Sequence, residues 1–127
     1  MEKQIKAVEE FMTVFGQDFT TRPTTLTPAQ ARLRYDLMKE ENEEFLEACD
    51  KYDIVEIADA LGDQLYILMG TILSCGMQHI IEDVFKEIHE SNMSKLEDGK
   101  VLYRNDGKVL KGKDYFPPNI KKFLNND

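Results

Sequence analysis

The sequence is short of the residues that build the commoner metal and redox centres. It holds two histidines, His79 and His89, and two cysteines, Cys49 and Cys75. The cysteines stand in helical patterns without metal or redox spacing. They read as small buried residues in a reducing compartment, with the cytoplasm as the default location. Neither histidine falls in a Glu-x-x-His spacing, which excludes a di-iron carboxylate bundle, and no EF-hand loop occurs. Long apolar runs are missing too. The longest, around Leu65 to Leu73, is broken by glycine and threonine and is too short to span a bilayer. The opening MEKQIKAVEEF is acidic and amphipathic, unlike a signal or transit peptide. Basic residues are outnumbered, 16 against 24 acidic ones, and the net charge of −8 argues against a general nucleic-acid binder.

What remains is a soluble globular composition, 31% charged and 42% apolar. At 127 residues the chain is one domain's worth, spanning 1–127. Its charge is uneven. Residues 1–94 carry 8 basic and 19 acidic side chains, a balance of −11, whereas residues 95–127 carry 8 and 5, a balance of +3. An acidic body with a basic tail suits a cation in one part and an anion in the other, or a tail folded back on the body.

Ile5, Val8, Phe11, Met12 and Phe15 recur at helical spacing, and Gly16 is a natural stop. QDFTTRPTTLTP reads as a threonine-rich loop. Thr27, Pro28 and Gln30 make a strong helix start: a threonine cap, proline at the first helical position and glutamine closing a capping box. That second helix runs to about Asp50. Asp53 caps a third, which Gly76 ends, and a fourth begins near Met77 with Ile81, Val84, Phe85 and Ile88 on one face. After Lys95 the texture changes. DGKVL occurs at 98–102 and again at 106–110, with turn residues between, which predicts a β-hairpin. YFPPNIKKFL follows as an extended, docking segment. The fold expected is all-α, a compact four-helix-type bundle with a C-terminal β-hairpin and extended tail.

The run KEENEEF at 39–45 is by default a solvated helix face. A helical wheel divides it. Leu37, Met38, Phe45 and Ala48 fall within about 60° of Glu41, and Glu44 lies on the same stripe at about 60°. Asp36, Lys39, Glu43 and Glu47 point the other way, and Glu40 sits at the edge beside Glu44. On the third helix, Glu56, Asp59 and Asp63 form a single stripe on an element otherwise apolar almost all round, as expected of a central, buried helix. Glu56 has a local alternative, completing a capping box with Asp53. Buried carboxylates need partners, and few basic residues are placed to neutralise these, although Arg34 shares the Glu41 stripe two turns upstream. Oxygen-only ligands select hard ions, Mg²⁺ first and Mn²⁺ second. On the fourth helix the apolar face continues into Asn92 and Lys95. A lysine there meets an anion held by the metal, most simply a phosphate, or else only complements the helix end. His89 falls off that face.

EENEE followed by EIAD resembles the Glu-Glu-x-x-Glu … Glu-x-x-Asp signature of the all-α nucleoside triphosphate pyrophosphohydrolases. That superfamily includes MazG-like enzymes, dimeric dUTPases and phosphoribosyl-ATP pyrophosphohydrolases. The resemblance runs from Arg32 through most of the chain, and SNMSKL, the Gly-Lys-rich segment and YFPPNI are similar to the phosphoribosyl-ATP pyrophosphohydrolase-like branch. It implies Glu41, Glu44, Glu56 and Asp59 as metal ligands, the four singled out by the wheel. It also implies Glu40 as a group that supports the ligands or is the base orienting the attacking water. Asn92 and Lys95 would touch the triphosphate, with Arg34 and Asp63 also on the substrate side. Asp63 lies one turn past the signature and is either a further ligand or a holder for a basic group of a neighbouring subunit. Only 11 residues separate Glu44 from Glu56, which leaves little room for an inserted specificity element.

The implied reaction is Mg²⁺-dependent hydrolysis of a nucleotide between its α and β phosphates, releasing a monophosphate and pyrophosphate. The implied role is house-cleaning of the nucleotide pool, in a homodimer or homotetramer. Two rivals stand beside it: the phosphoribosyl-ATP step of histidine biosynthesis, and a non-enzymatic helical oligomerisation module whose acid stripes pair with another chain.

Overall fold

A computed structural model describes residues 1–124 of the chain. The chain folds as two compact units, Met1–His79 and a second from Ile80 onward. The first holds α1 (Glu2–Val14), α2 (Pro28–Asp50) and α3 (Ile54–Ser74), with α3 packing against both others. α1 buries Ile5, Val8 and Met12, the stripe its spacing predicts. It ends in a Schellman turn: Gly16 takes φ +69°, and Gln17 donates its N–H to the Met12 carbonyl. Phe11 stacks on Phe15 and meets Tyr66 of α3 edge-on.

α2 starts where the sequence places it. Thr27 accepts from the Gln30 N–H at 3.2 Å, and the Gln30 side chain accepts from the Thr27 N–H at 2.9 Å. Its other end is a turn of three residues. Tyr52 takes a left-handed φ of 53°, unusual for a tyrosine, with its N–H on the Cys49 carbonyl. Asp53 then caps α3 by accepting from the Val55 and Glu56 N–H groups. So tight a link makes α2 and α3 antiparallel neighbours in a defined register. Residues at similar distances on either side of this turn lie nearly level, as the 3.1 Å Gln64–Asn42 bond marks.

α3 is central but not buried all round. Ala60, Met69, Ile72 and Leu73 are buried. Ile54 and Leu65, at 75% and 56% exposed, face outward with Val55, Leu61 and Leu68. Two neighbouring helices cover only part of a helix surface, so the remaining apolar stripe stays open. Both cysteines are free and half-buried. The threonine-rich loop docks on the end of α3, where Leu73 accepts from Thr20 N–H and Cys75 from Thr24 N–H. Gly76 permits this: φ is +67°, and a Cβ there would lie 1.9 Å from the Arg22 carbonyl oxygen.

The second unit begins with α4 (Ile81–Met93), four residues later than the sequence suggests. The Met77 N–H is held by the Ile72 carbonyl, so the chain must first turn. α4's buried positions are Glu87 and Ser91, not the apolar face, and Phe85 is 65% exposed. The tail occupies the polar side instead. Ser91 donates to the Phe116 carbonyl, and Glu87 accepts from the Asn119 N–H at 3.1 Å and from Lys122 at 2.7 Å. A short 3-10 helix, Lys121–Phe123, follows.

The expected C-terminal β-hairpin does not form. Among the described residues there is no strand, only isolated antiparallel bridges Glu97–Lys100 and Tyr103–Val109. The apolar runs here are Val101-Leu102 and Val109-Leu110, and of these only Leu102 is as much as half-buried. Such short runs cannot sustain a ladder, and Asp98, Gly99 and Gly107 turn the chain with positive φ. No helix among the described residues is long and apolar enough to cross a membrane.

Candidate metal centre

The α2–α3 register brings together Glu41, Glu44 and Asp63. One carboxylate oxygen from each lies within 4.8 Å of the others. Glu41 is half-buried, and its Oε2 is shut away from solvent with no hydrogen-bond partner. Burial first, then the Asp63 and Glu44 charges and, last, the Glu40 charge push the Glu41 carboxyl up to about 7. Each cause has the sign expected of an anion crowded by anions. None of the three is in an ion pair among the described residues.

An orphaned buried oxygen within a three-carboxylate cluster is the environment a hard cation would satisfy. The donor set fits Mg²⁺ or Mn²⁺: all oxygen, charged, and few enough to leave positions for water and phosphate. Softer metals would want nitrogen or sulfur, which the cluster lacks.

The wheel placed Glu41 and Glu44 together, and the structure does so too, although Glu44 is exposed. Glu43 and Glu47 are exposed on the far side, as is Glu40 at the edge. Asp63, given two roles by the sequence, stands beside Glu41. Glu56 and Asp59 are exposed and fall outside the cluster. They continue Asp63's stripe, Asp59 about one turn and Glu56 about two turns, or ~10 Å, nearer the start of α3. The signal that singles out Asp63 is the short link, because counting outward from Tyr52 sets Glu41 level with it.

Arg34 does not neutralise these acids. Two turns upstream, its Nε donates to Thr71 Oγ1 at 2.9 Å and its Nη2 to the Ile67 carbonyl at 2.8 Å. Burial pulls its guanidinium below the ordinary value. Arg34 lines a cavity of about 620 Å³ between the end of α1, the threonine-rich loop and the first half of α2. Asn92 and Lys95 belong to the second unit. Asn92 is exposed, while Lys95 is half-buried and its carbonyl accepts from the Gly112 N–H. His89 is exposed.

Comparison with known proteins adds two findings. The model of a family described as phosphoribosyl-ATP pyrophosphohydrolase matches residues 8–92, taking in the acidic cluster and nearly all of the four helices. An uncharacterized protein of Acanthamoeba polyphaga mimivirus is 35% identical over 80 residues. That alignment covers 58% of this chain, but the chain spans only 32% of the relative's length.

Proposed function

The chain belongs to the phosphoribosyl-ATP pyrophosphohydrolase family, and from that premise we propose that it hydrolyses a nucleoside triphosphate between the α and β phosphates with Mg²⁺. The products are a nucleoside monophosphate and pyrophosphate, and the role is house-cleaning of the nucleotide pool in the cytoplasm. The observation that carries this reading is the partnerless buried Oε2 of Glu41 among Glu44 and Asp63.

Glu41, Glu44 and Asp63 would hold the ion, with Asp59 and Glu56 as further carboxylates on the same stripe. The ion, when bound, supplies charge neutralisation between the acids and the triphosphate and polarises the phosphoryl oxygens. The remaining work falls to side chains. Glu40 orients a water against the α-phosphorus and accepts a proton from it as the new P–O bond forms. The bridging α–β P–O bond breaks, and its electron pair leaves with pyrophosphate. The family resemblance assigns Lys95 and Asn92 to the phosphates, as groups that would stabilise that leaving charge. The open apolar stripe of α3, from Ile54 to Leu68, supports self-association into a homodimer or homotetramer.

The family description favours a second substrate, phosphoribosyl-ATP itself. Pyrophosphate release from a nucleoside triphosphate panel and from phosphoribosyl-ATP, with and without Mg²⁺, separates the two. No Mg²⁺-dependent release from any of them, with no Mg²⁺ effect on melting temperature, would return the acid stripes to a partner-binding role.

A further inference from the structure

Glu41 and Asp63 repel one another, so other atoms must hold their helices in place. Among the described residues, side-chain hydrogen bonds join α2 to α3 at two levels. One is the exposed Asn42–Gln64 bond beside the acids. The other is Arg34, whose Nε donates to Thr71 Oγ1 and whose Nη2 donates to the Ile67 carbonyl. The Thr71 hydroxyl donates to that same carbonyl at 3.1 Å, which closes the network into a ring. A planar guanidinium held at two of its nitrogens fixes both the spacing and the slide of two helices, and a single bond does not.

Gly70 admits the arginine. It is buried and stands level with Arg34 when counted outward from Tyr52, and a Cβ there would lie 2.6 Å from Nη2. Seen from Glu41, the turn at Tyr52 anchors the helix pair on one side. Arg34 anchors it on the other, two turns or ~10 Å along α2. Apolar packing does little of this, because Ala48, near the turn, is the one fully buried residue of α2. Without the Arg34 tie, repulsion between the acids would splay the far end of the pair.

Resting on the Mg²⁺ reading of the acidic cluster, we infer that Arg34 is a positioning residue for that cluster. Its tie to Thr71 and Ile67 holds α2 and α3 at the spacing from which Glu41, Glu44 and Asp63 converge on one ion. Mg²⁺ demands near-octahedral geometry at short range, whereas Ca²⁺ takes longer and more variable arrangements. Loosening the tie therefore weakens Mg²⁺ binding more than Ca²⁺ binding. The sign of the effect separates positioning from charge. An arginine acting only as a nearby cation repels the ion, so its removal would tighten Mg²⁺.

The test is calorimetric titration of Mg²⁺ and of Ca²⁺ into the full chain. Gly70→Ala keeps the charge and displaces the guanidinium, because the clash falls on the end of a flexible side chain. It should weaken Mg²⁺ about ten-fold, the scale for groups that orient metal ligands, and Ca²⁺ by a smaller factor. Arg34→Met should do the same, and adding it to Gly70→Ala should change little further, since both break one tie. Should Arg34→Met misfold, Gly70→Ala carries the test. Lys122→Met, which loosens the tail of the second unit, should bind both ions as wild type does, and so shows what lost stability does by itself. Mg²⁺ and Ca²⁺ weakened alike, or Mg²⁺ bound more tightly by Arg34→Met, overturns the inference. Mg²⁺ bound by wild type and Gly70→Ala with equal affinity defeats this inference alone. Wild type that binds no Mg²⁺ defeats the metal reading on which it rests.

Discussion

Glu41 of α2 and Asp63 of α3 face one another across the helix pair with carboxylate oxygens within 4.8 Å. After burial, the Asp63 charge is the largest cause of the raised proton affinity of Glu41. Two like charges are held together by a turn of three residues and by the Asn42–Gln64 bond beside them. Packing that stabilises the helix pair therefore forces the carboxylates close, a repulsion that a bound cation would relieve.

Glu41→Gln should abolish Mg²⁺-dependent hydrolysis, because the amide keeps the shape and loses the charge that binds a hard ion. Without Mg²⁺ the variant should melt higher than wild type, and Mg²⁺ should no longer shift it. Glu43→Gln, on the exposed face, should stay within about 0.5 kcal/mol of wild type with activity intact. Melting curves and pyrophosphate release with and without Mg²⁺ measure both. Like behaviour of the two variants would mean that the acids are not sorted by face.

The raised Glu41 value also sets a pH dependence. Between its ordinary value of 4.5 and about 7 the folded protein holds a proton that the unfolded chain has released. The stability from this group is full below about 4.5 and is lost as pH rises through about 7. Mg²⁺ competes with that proton, so its stabilising shift should grow from pH 5.5 to 8. A Mg²⁺ shift independent of pH would place the ion elsewhere.

Glu87 behaves in the opposite sense. The Lys122 ammonium and the Asn119 N–H hold its carboxyl below the usual range. Its contribution is present above about 4.5 and is lost as pH falls through its lowered value. Lys122→Met should lower the melting temperature at neutral pH, because it leaves a buried carboxylate without its cation. The difference from wild type should close in acid, and the Mg²⁺ shift should be untouched. A constant difference across pH would assign Lys122 a packing role only.

Lys95→Met should raise KM or lower turnover while Mg²⁺-induced stabilisation stays as in wild type. Equal activity would leave Lys95 as a helix-end residue favoured by the dipole.

Much of this was written locally. Thr27, Pro28 and Gln30 determine the start of α2, and from there a rotation of about 100° per residue separates Glu41 from Glu43. Gly16 and Gly76 end their helices by a conformation that glycine adopts without strain. These features depend on near neighbours along the chain, so periodicity and caps reveal them. Tertiary structure decided the rest. The register across Tyr52 chose Asp63, rather than Glu56 or Asp59, to stand beside Glu41. Gly70 and Thr71 of α3 turned Arg34 away from the acids and toward a cavity. The tail covered Glu87 and Ser91 and left Phe85 exposed. In each case the deciding atoms lie far off in sequence, and a helical wheel ranks the faces of one helix without knowing which face another segment will cover.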